Sequence, residues 1–173
     1  GPDGTLATAD DGTVSPTLTV VVNPVNDSPR LDAISDPDPM NENPGPQTIT
    51  LTGITSGVGE DQEVEITASS GDTLFIPHPT IDHTQGNTTA TLTYEPRLGE
   101  NGSTLMTVLI TDGGLDNNLA TTADNATVSR TFDVTVSPVN DVPTLAAIAN
   151  RTISGNAAQQ TANLTGIAAG GGE

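Results

Sequence analysis

The sequence has no cysteine and no lysine, and each absence removes a class of function. Without cysteine, the chain can form neither disulfides nor a thiolate metal site. With histidine neutral, its only positively charged side chains are those of four arginines, against 22 aspartates and glutamates, so the formal net charge is -18 at pH 7. That charge repels nucleic acid phosphates and anionic lipid headgroups. We therefore expect no nucleic acid partner, and cations are the natural ligands.

Aromatic residues are also rare, since the chain has no tryptophan, one tyrosine and two phenylalanines. Sugar-binding faces and grooves for single-stranded nucleic acid usually need exposed aromatic side chains as stacking platforms. Tyr94, Phe75 and Phe132 all fall on predicted strands, where packing in a core is the expected role. The sequence therefore predicts an aliphatic core and no stacking surface.

Long apolar runs are the third absence. The longest span only about five residues, as at 145–149, whereas a membrane-spanning helix needs about 20. We therefore expect no direct membrane insertion. Any export signal or anchor would lie outside this piece.

What the sequence does contain is a repeat with a period of about 114 residues. The segment TLTVVVNPVNDSPRLDAI (17–34) returns as TFDVTVSPVNDVPTLAAI (131–148). A second pair, QTITLTGITSGVGE (47–60) and QTANLTGIAAGGGE (160–173), has nearly the same offset. Self-similarity at a fixed spacing is typical of tandem arrays. We predict one complete domain at 30–143, with the end of a preceding repeat at 1–29 and the start of a following repeat at 144–173.

Alternation of apolar and polar residues predicts strands and no helix in the complete repeat. The strands are expected near 31–35, 47–53, 63–69, 74–83, 88–95, 103–111 and 126–137, and the preceding repeat contributes another at 13–22. The predicted inward-facing residues are Ile49, Leu51, Val64, Ile66, Ala68, Ala90, Leu92, Tyr94, Met106, Val108, Ile110, Val128, Phe132, Val134 and Val136. Gln85-Gly86-Asn87 is typical of a hairpin turn. These features predict an all-β fold, a seven-stranded antiparallel β-sandwich.

Four motifs punctuate the repeat: PVNDxP (24–29 and 138–143), LTGI with GVGED (51–61), YEPRLGENG (94–102) and ITDGG (110–114). Together they resemble the tandem cadherin-like or bacterial immunoglobulin-like repeats of large bacterial surface adhesins. The resemblance implies secretion to a bacterial cell surface, sandwiches strung end to end and, in many members, calcium at the junctions. It is incomplete, because Pro24 and Ser28 replace two residues of the DxNDNxP motif of animal cadherins and no DRE triplet occurs.

Acids near the ends of the predicted strands are the candidate calcium ligands. Calcium takes six to eight oxygens from carboxylates, amides and carbonyls, which the loops at a junction between repeats can supply. At one pole of the sandwich we expect Glu60, Asp61, Glu100, Asn140 and Asp141. At the other we expect Asp72, Asp112 and Asp116, near Asn26 and Asp27. The alternative is that these acids cap turns or face solvent.

A separate acidic cluster precedes the second predicted strand of the repeat. Asp36, Asp38, Asn41 and Glu42 together have the character of a calcium loop. The following repeat lacks these acids at the corresponding positions, with Asn150, Thr152, Gly155 and Asn156 in their place. The cluster is therefore a weaker candidate than the junction acids.

Two functions follow as hypotheses. The leading one is a structural stalk or spacer repeat of a large extracellular surface, adhesin or filament protein, stiffened by calcium and contacting neighbouring repeats or other copies in a fibre. The rival is a carbohydrate- or protein-binding accessory module of a secreted protein, which the scarcity of aromatics disfavours. We expect no enzyme, because adjacent strand residues such as Asp82 and His83 point to opposite faces and form no dyad.

Overall fold

The structure is a computed structural model that describes residues 2–5 and 15–170. Within these residues the fold is all-β, with no α-helix. The strands are β1 (Met40–Asn41), β2 (Gln47–Thr52), β3 (Val64–Ser70), β4 (Thr80–Asp82), β5 (Thr89–Tyr94), β6 (Gly102–Asp112) and β7 (Thr127–Ser137). All seven lie between residues 40 and 137, inside the predicted complete repeat.

The strands form two sheets, ordered β1-β7-β6-β3 and β2-β5-β4. The longest ladder joins β6 to β7, with Met106 opposite Phe132. All pairs are antiparallel except β1 with β7, which run parallel. The expectation of a wholly antiparallel sandwich is therefore wrong for this pair. The reason is that the chain changes sheets: Asp32 still bonds to Thr52 beside β2, whereas Met40 pairs with Val136 of β7.

One aliphatic core lies between the facing sides of the sheets. Most of its buried members belong to β2, β3, β5, β6 and β7, and connecting segments add Leu31, Ile54, Phe75 and Ile76. Every residue predicted to face inward either belongs to this core or packs against it, which confirms the predicted faces. Alternation gives the face correctly because successive side chains of a strand point to opposite sides.

The predicted strands at 31–35 and 74–83 are mostly absent. Around residue 30 the chain makes only an isolated bridge, between Arg30 and Thr55. In the second segment the main chain turns first, since Ile76 N donates to Asp72 O at 2.9 Å. Pro77 and Pro79 then follow, and proline has no N–H to donate to a ladder. Only Thr80–Asp82 remains as a strand, paired with β5.

The predicted strand at 13–22 is not formed over residues 15–22, and residues 13 and 14 lie outside the described part of the chain. Its counterpart β7 is bonded on both sides, by β6 and by β1. The sequence contains no copy of β6 before residue 17. An alternating pattern without a neighbouring strand has nothing to pair with, so residues 15–22 form no strand and stay exposed.

Two side chains occupy the outer backbone groups of β3, which is an edge strand. At its start, Val64 N donates to Gln85 Oε1 at 3.1 Å, and Gln85 Nε2 donates to Val64 O. At its end, Ser70 N donates to His78 Nδ1 at 3.0 Å. These contacts shorten the free edge that another chain could pair with.

Candidate junction site

The side chain of Asn26 joins the first linker, residues 23–29, to the complete repeat. Its Nδ2 donates to both carboxylate oxygens of Asp112, at 3.2 and 3.3 Å, and to the carbonyl of Asp124 at 2.9 Å. Its Oδ1 accepts from Gln62 Nε2 at 2.9 Å. One amide thus connects the linker to the β2–β3 connection and to the β6–β7 connection.

Asp112, the last residue of β6, is completely buried, with 0% of its surface exposed. Besides the amide of Asn26, its Oδ1 accepts from the backbone N–H groups of Gly114, at 3.0 Å, and Ala126, at 2.8 Å. The turn after β6 therefore closes around the carboxylate. A buried carboxylate requires such donors, because leaving it unsatisfied costs several kcal/mol.

Asp27 and Glu60 form the second contact of the first linker. The Glu60 carboxylate accepts from Asp27 N at 3.1 and 3.2 Å. Gly57 lies so close that a Cβ at that position would be 2.8 Å from the Asp27 carbonyl oxygen. The first glycine of the GVGED motif is therefore required because the linker backbone leaves no room for a side chain at position 57.

These contacts correct the predicted pole for Glu60 and Asp61. Both belong at the end of the sandwich that carries the first linker and Asp112, and not with Glu100. The reason is the register: the β2–β3 connection ends at Val64, and Val64 pairs with Asp112. The connection before β3 and the connection after β6 therefore share one end of the sheet.

The predicted pole is also wrong for Asp72, which lies at the end of the sandwich opposite Asp112. It follows the end of β3, where Ser70 pairs with Met106, toward the beginning of β6 and away from Asp112. Its Oδ1 accepts from the N–H groups of Leu74 and Phe75, at 2.9 and 3.2 Å. The side chain caps the turn that replaces the first half of the predicted strand at 74–83.

Asp116 lies at the first-linker end as expected, in the loop after β6. Its carboxylate also caps a turn. Its Oδ1 accepts from Asn118 N at 3.0 Å, and its Oδ2 accepts from Thr121 Oγ1 at 2.5 Å. Asp72 and Asp116 thus both cap turns.

Glu42 contacts the second linker, residues 137–143. Its Oε1 accepts from Val139 N at 2.5 Å, and its N donates to Ser137 O at 3.0 Å. The residue is only 7% exposed, yet its Oε2 has no hydrogen-bond partner among the described residues. Gly99 N donates to Asn43 Oδ1 at 2.8 Å, which brings the loop containing Glu100 to this same end.

Asn140 and Asp141 hold the places in the second linker that Asn26 and Asp27 hold in the first. Asn140 Nδ2 donates to Asp141 O at 3.3 Å. A Cβ on Gly170 would lie 2.5 Å from Asp141 Cβ. Gly170 thus approaches Asp141 much as Gly57 approaches Asp27.

The acidic cluster at 36–42 is not gathered into one site. Asp36 Oδ1 accepts from Asp133 N, halfway along β7, whereas Glu42 contacts Val139 beyond its end. Six residues of extended chain separate these points by roughly 20 Å. Within residues 2–5 and 15–170, no group of three or more His, Cys, Asp or Glu side chains is arranged to hold a metal ion.

Gln62 was not foreseen as part of the site. It directly follows the GVGED motif, but its counterpart in the following repeat would lie beyond the printed sequence. The repeat therefore gave no signal for it. The contact with Asn26 joins residues 36 positions apart and has no local pattern that announces it.

A groove of about 700 Å³ opens beside Tyr94, with Pro46, Pro77, Pro96 and Leu98 among its lining residues. Burial raises the pKa of the Tyr94 hydroxyl above its usual value. Tyr94 is only 3% exposed, so its ring offers no face on which a sugar could stack.

Comparison of the chain with protein-family models, with curated proteins and with solved structures gave no match. In the described part of the chain, no helix has the length and apolar character needed to cross a bilayer.

Proposed function

We propose that the chain is a stretch of a tandem array whose repeats act as a structural spacer, in a stalk or filament outside the cell. The observation that carries the proposal is the recurrence of one structural detail at the offset seen in the sequence. The bridge between Arg30 and Thr55 recurs between Thr144 and Ala168. Both bridges are antiparallel and each has two backbone hydrogen bonds.

A second pair of contacts recurs at the same offset. Asp32 N donates to Thr52 O at 3.0 Å, and Ala146 N donates to Thr165 O at 2.9 Å. The segment after the second linker therefore begins the same pairing that opens the complete repeat. This supports the view that residues 144–170 start another copy.

The order of the strands supports an immunoglobulin- or cadherin-like type of sandwich. When the paired segment at 30–32 is counted as strand A, the sheet β2-β5-β4 has the order B-E-D, and β3, β6 and β7 are C, F and G. An immunoglobulin-type domain divides its strands between two sheets in the same way. Strand β1 is then the later part of strand A, which has crossed to strand G.

The positions of the linkers suit a spacer. The first linker lies at the end of the sandwich that carries Asp112, and the second follows Ser137, at the far end of β7. Strand β7 has 11 residues and so is roughly 35 Å long at ~3.3 Å per residue. Copies joined through such linkers extend in series, and each adds about that length.

Calcium is the cation we propose for the junctions. Glu60 contacts the linker that precedes its repeat, and Glu42 contacts the linker that follows it. If the two linkers are equivalent, a complete junction combines Glu42 of one repeat with the counterparts of Glu60 and Asp61 in the next repeat. These carboxylates then surround the linker aspartate. Carboxylates and carbonyls are the oxygen ligands that calcium prefers. The unpartnered, buried Oε2 of Glu42 fits a bound cation, because an unpaired carboxylate oxygen in the interior is costly.

A chain with two complete repeats tests both parts of this proposal. It is obtained by joining residue 173, the counterpart of Glu60, to residues 61–143. Small-angle scattering should show an extended rod in millimolar calcium and a broader range of inter-repeat angles in chelator. Glu42→Gln should weaken the calcium effect, whereas Glu65→Gln, on the exposed side of β3, should not.

The possible outcomes separate the spacer from the calcium. Two freely jointed repeats in both solutions would contradict the spacer function. A rod that is equally stiff in calcium and in chelator would retain the spacer and reject calcium. Extracellular location, secreted or at a bacterial surface, is proposed from the resemblance of the motifs alone.

The groove beside Tyr94 favours a second candidate, a carbohydrate- or protein-binding accessory module of a secreted protein. Its lining includes Arg97, one of only four arginines in a chain without lysine. Binding of a defined glycan or protein that is abolished by Arg97→Ala, and retained by Arg151→Ala outside the groove, would favour this candidate over the spacer.

A further inference from the structure

The four contacts of the Asn26 amide can be satisfied by only one type of side chain in one orientation. Three acceptors face its nitrogen: the two carboxylate oxygens of Asp112 and the carbonyl of Asp124. One donor, Gln62 Nε2, faces its oxygen. A side-chain amide has two N–H hydrogens on one side, one for the Asp124 carbonyl and one shared by the two oxygens of Asp112, and an acceptor oxygen on the other, so it matches this environment.

An aspartate of the same shape would not match. Its carboxylate has only acceptors, and it would place them against the carboxylate of Asp112 and the carbonyl of Asp124. Two carboxylates at this distance repel each other, and the interior around Asp112 strengthens the repulsion. Such a site would need a cation between its oxygens, whereas the asparagine already supplies the donor hydrogens that a cation would replace.

We infer that Asn26 is a metal-independent anchor, which fixes the linker to the repeat that follows it by direct hydrogen bonds to a buried carboxylate. Asn26 and Asp112, both predicted as calcium ligands, are bonded directly to each other. Calcium at the junction then binds beside this anchor, at the carboxylates of Glu60 and Asp61 and at the Glu42 counterpart of the repeat that precedes the linker. The anchor's role in an array rests on the proposed spacer function, but its geometry does not.

Loss of the anchor should release the linker without unfolding the sandwich. Asp112 would retain the backbone donors of Gly114 and Ala126. The core residues of β6 and β7 do not depend on the linker, because they pack on the other sheet. The amide of Asp27, the next residue along the linker, is therefore a local reporter.

The test uses the whole chain and measures hydrogen exchange of the Asp27 amide by NMR, in chelator and in millimolar calcium. The amide of Ile110, in the middle of the core ladder, reports on the fold. The variants are Asn26→Ala, Asn26→Asp and the exchanged pair Asn26→Asp with Asp112→Asn. Asn140→Asp is the matched control, because the Asn140 amide contacts only its neighbour Asp141 among the hydrogen bonds described.

In the unchanged chain, protection of Asp27 should persist in chelator, because the contacts of Asn26 need no metal. Asn26→Ala and Asn26→Asp should each reduce it by about tenfold or more in chelator, because a hydrogen bond to a charged group is lost. Calcium should restore protection only in Asn26→Asp, where it bridges the two carboxylates. The exchanged pair should recover in part in chelator, since the amide introduced at position 112 can donate to the carboxylate introduced at position 26, whereas the Asp124 carbonyl still faces an acceptor. Asn140→Asp should leave Asp27 unchanged.

Two results would overturn the anchor. One is an unchanged Asp27 protection in Asn26→Ala while Ile110 remains protected. The other is loss of Asp27 protection when calcium is removed from the unchanged chain. Neither result bears on the stiffness of two joined repeats, so the anchor and the spacer function can fail separately.

Discussion

The segments 30–56 and 144–169 have closely similar apolar patterns and the same backbone pairing, but opposite burial. Leu31, Leu51 and Ile54 are 3%, 1% and 2% exposed in the first segment. Their counterparts Leu145, Leu164 and Ile167 are 53%, 50% and 69% exposed in the second. The difference is that the first segment packs against β3 to β7, whereas the apolar side chains of the second are not covered by any strand of the described residues.

The comparison separates two contributions to the fold. Pairing of the segment around residue 30 with the segment around residue 54 recurs without the remainder of the sandwich. Burial of the apolar side does not recur, because it needs the opposing sheet. Burial supplies most of the stabilisation, at about 25 cal/mol for each Å² removed from water.

Residues 17–22 and 131–136 extend the comparison to a strand whose partner is distant. Phe132 in β7 is buried and paired with Met106, whereas its counterpart Leu18 is 88% exposed and belongs to no strand. The segment 144–169 carries both of its pairing partners within itself. Residues 17–22 would need a β6 from their own repeat, so neither pairing nor burial occurs.

The largest expected difference between equivalent positions is at this strand. Phe132→Ala should lower the free energy of unfolding of the complete repeat by ~3–5 kcal/mol, because it leaves a cavity in the core. Leu18→Ala, at the equivalent but exposed position, should change it by less than about 0.5 kcal/mol. Chemical denaturation of the two variants measures both values, and equal destabilisation would remove the distinction between the copies.

A similar difference is expected at the second strand of the repeat. Leu51→Ala removes a fully buried side chain and should cost about 2–5 kcal/mol. Leu164→Ala, at half-exposed Leu164, should cost a small fraction of that. A shift in melting temperature confined to Leu51→Ala agrees with this account, whereas a similar shift for Leu164→Ala would show that residues 144–169 are packed on the repeat.

The smallest difference concerns two glycines with the same backbone conformation. Gly53 and Gly166 have φ of 70° and 66°. An alanine at either position adopts a left-handed conformation that costs about 1–2 kcal/mol. Gly53→Ala should lower the stability of the sandwich by that amount, whereas Gly166→Ala should change only the local pairing of 144–146 with 165–168. Thermal unfolding followed by circular dichroism distinguishes the two, and an equal loss would contradict the expectation.

The sequence predicted the faces of the long strands well, because Ala90, Leu92 and Tyr94 alternate over a complete strand. It also placed the hairpin turn at Gly86, whose φ of 83° suits glycine. It missed β1, because two residues are too short to show a period. Nor could it assign Glu60 and Asp72 to the correct ends of the sandwich, since that depends on which strands share a sheet.

The candidate site was predictable only in part. The linker asparagine and aspartate stand out through the repeated PVND motif, and the acids through their loop positions. The residues that form the site lie far apart in the sequence: Asn26 bonds to Gln62, 36 positions away, and to Asp124, 98 positions away. No periodic pattern encodes such distances.

The most direct test of the account is hydrogen exchange at Ala146 in two chains. One is the present chain, and the other continues from residue 173 with residues 61–143 and so completes the following repeat. The amide of Ala146 corresponds to that of Asp32 in the complete repeat. Its protection should be far below that of Asp32 in the present chain and should rise to match it in the longer one. Equal protection of Ala146 in both chains, with the added residues folded, would contradict the account. The account claims that the first segment of each repeat becomes buried only when the later strands of the same repeat are present.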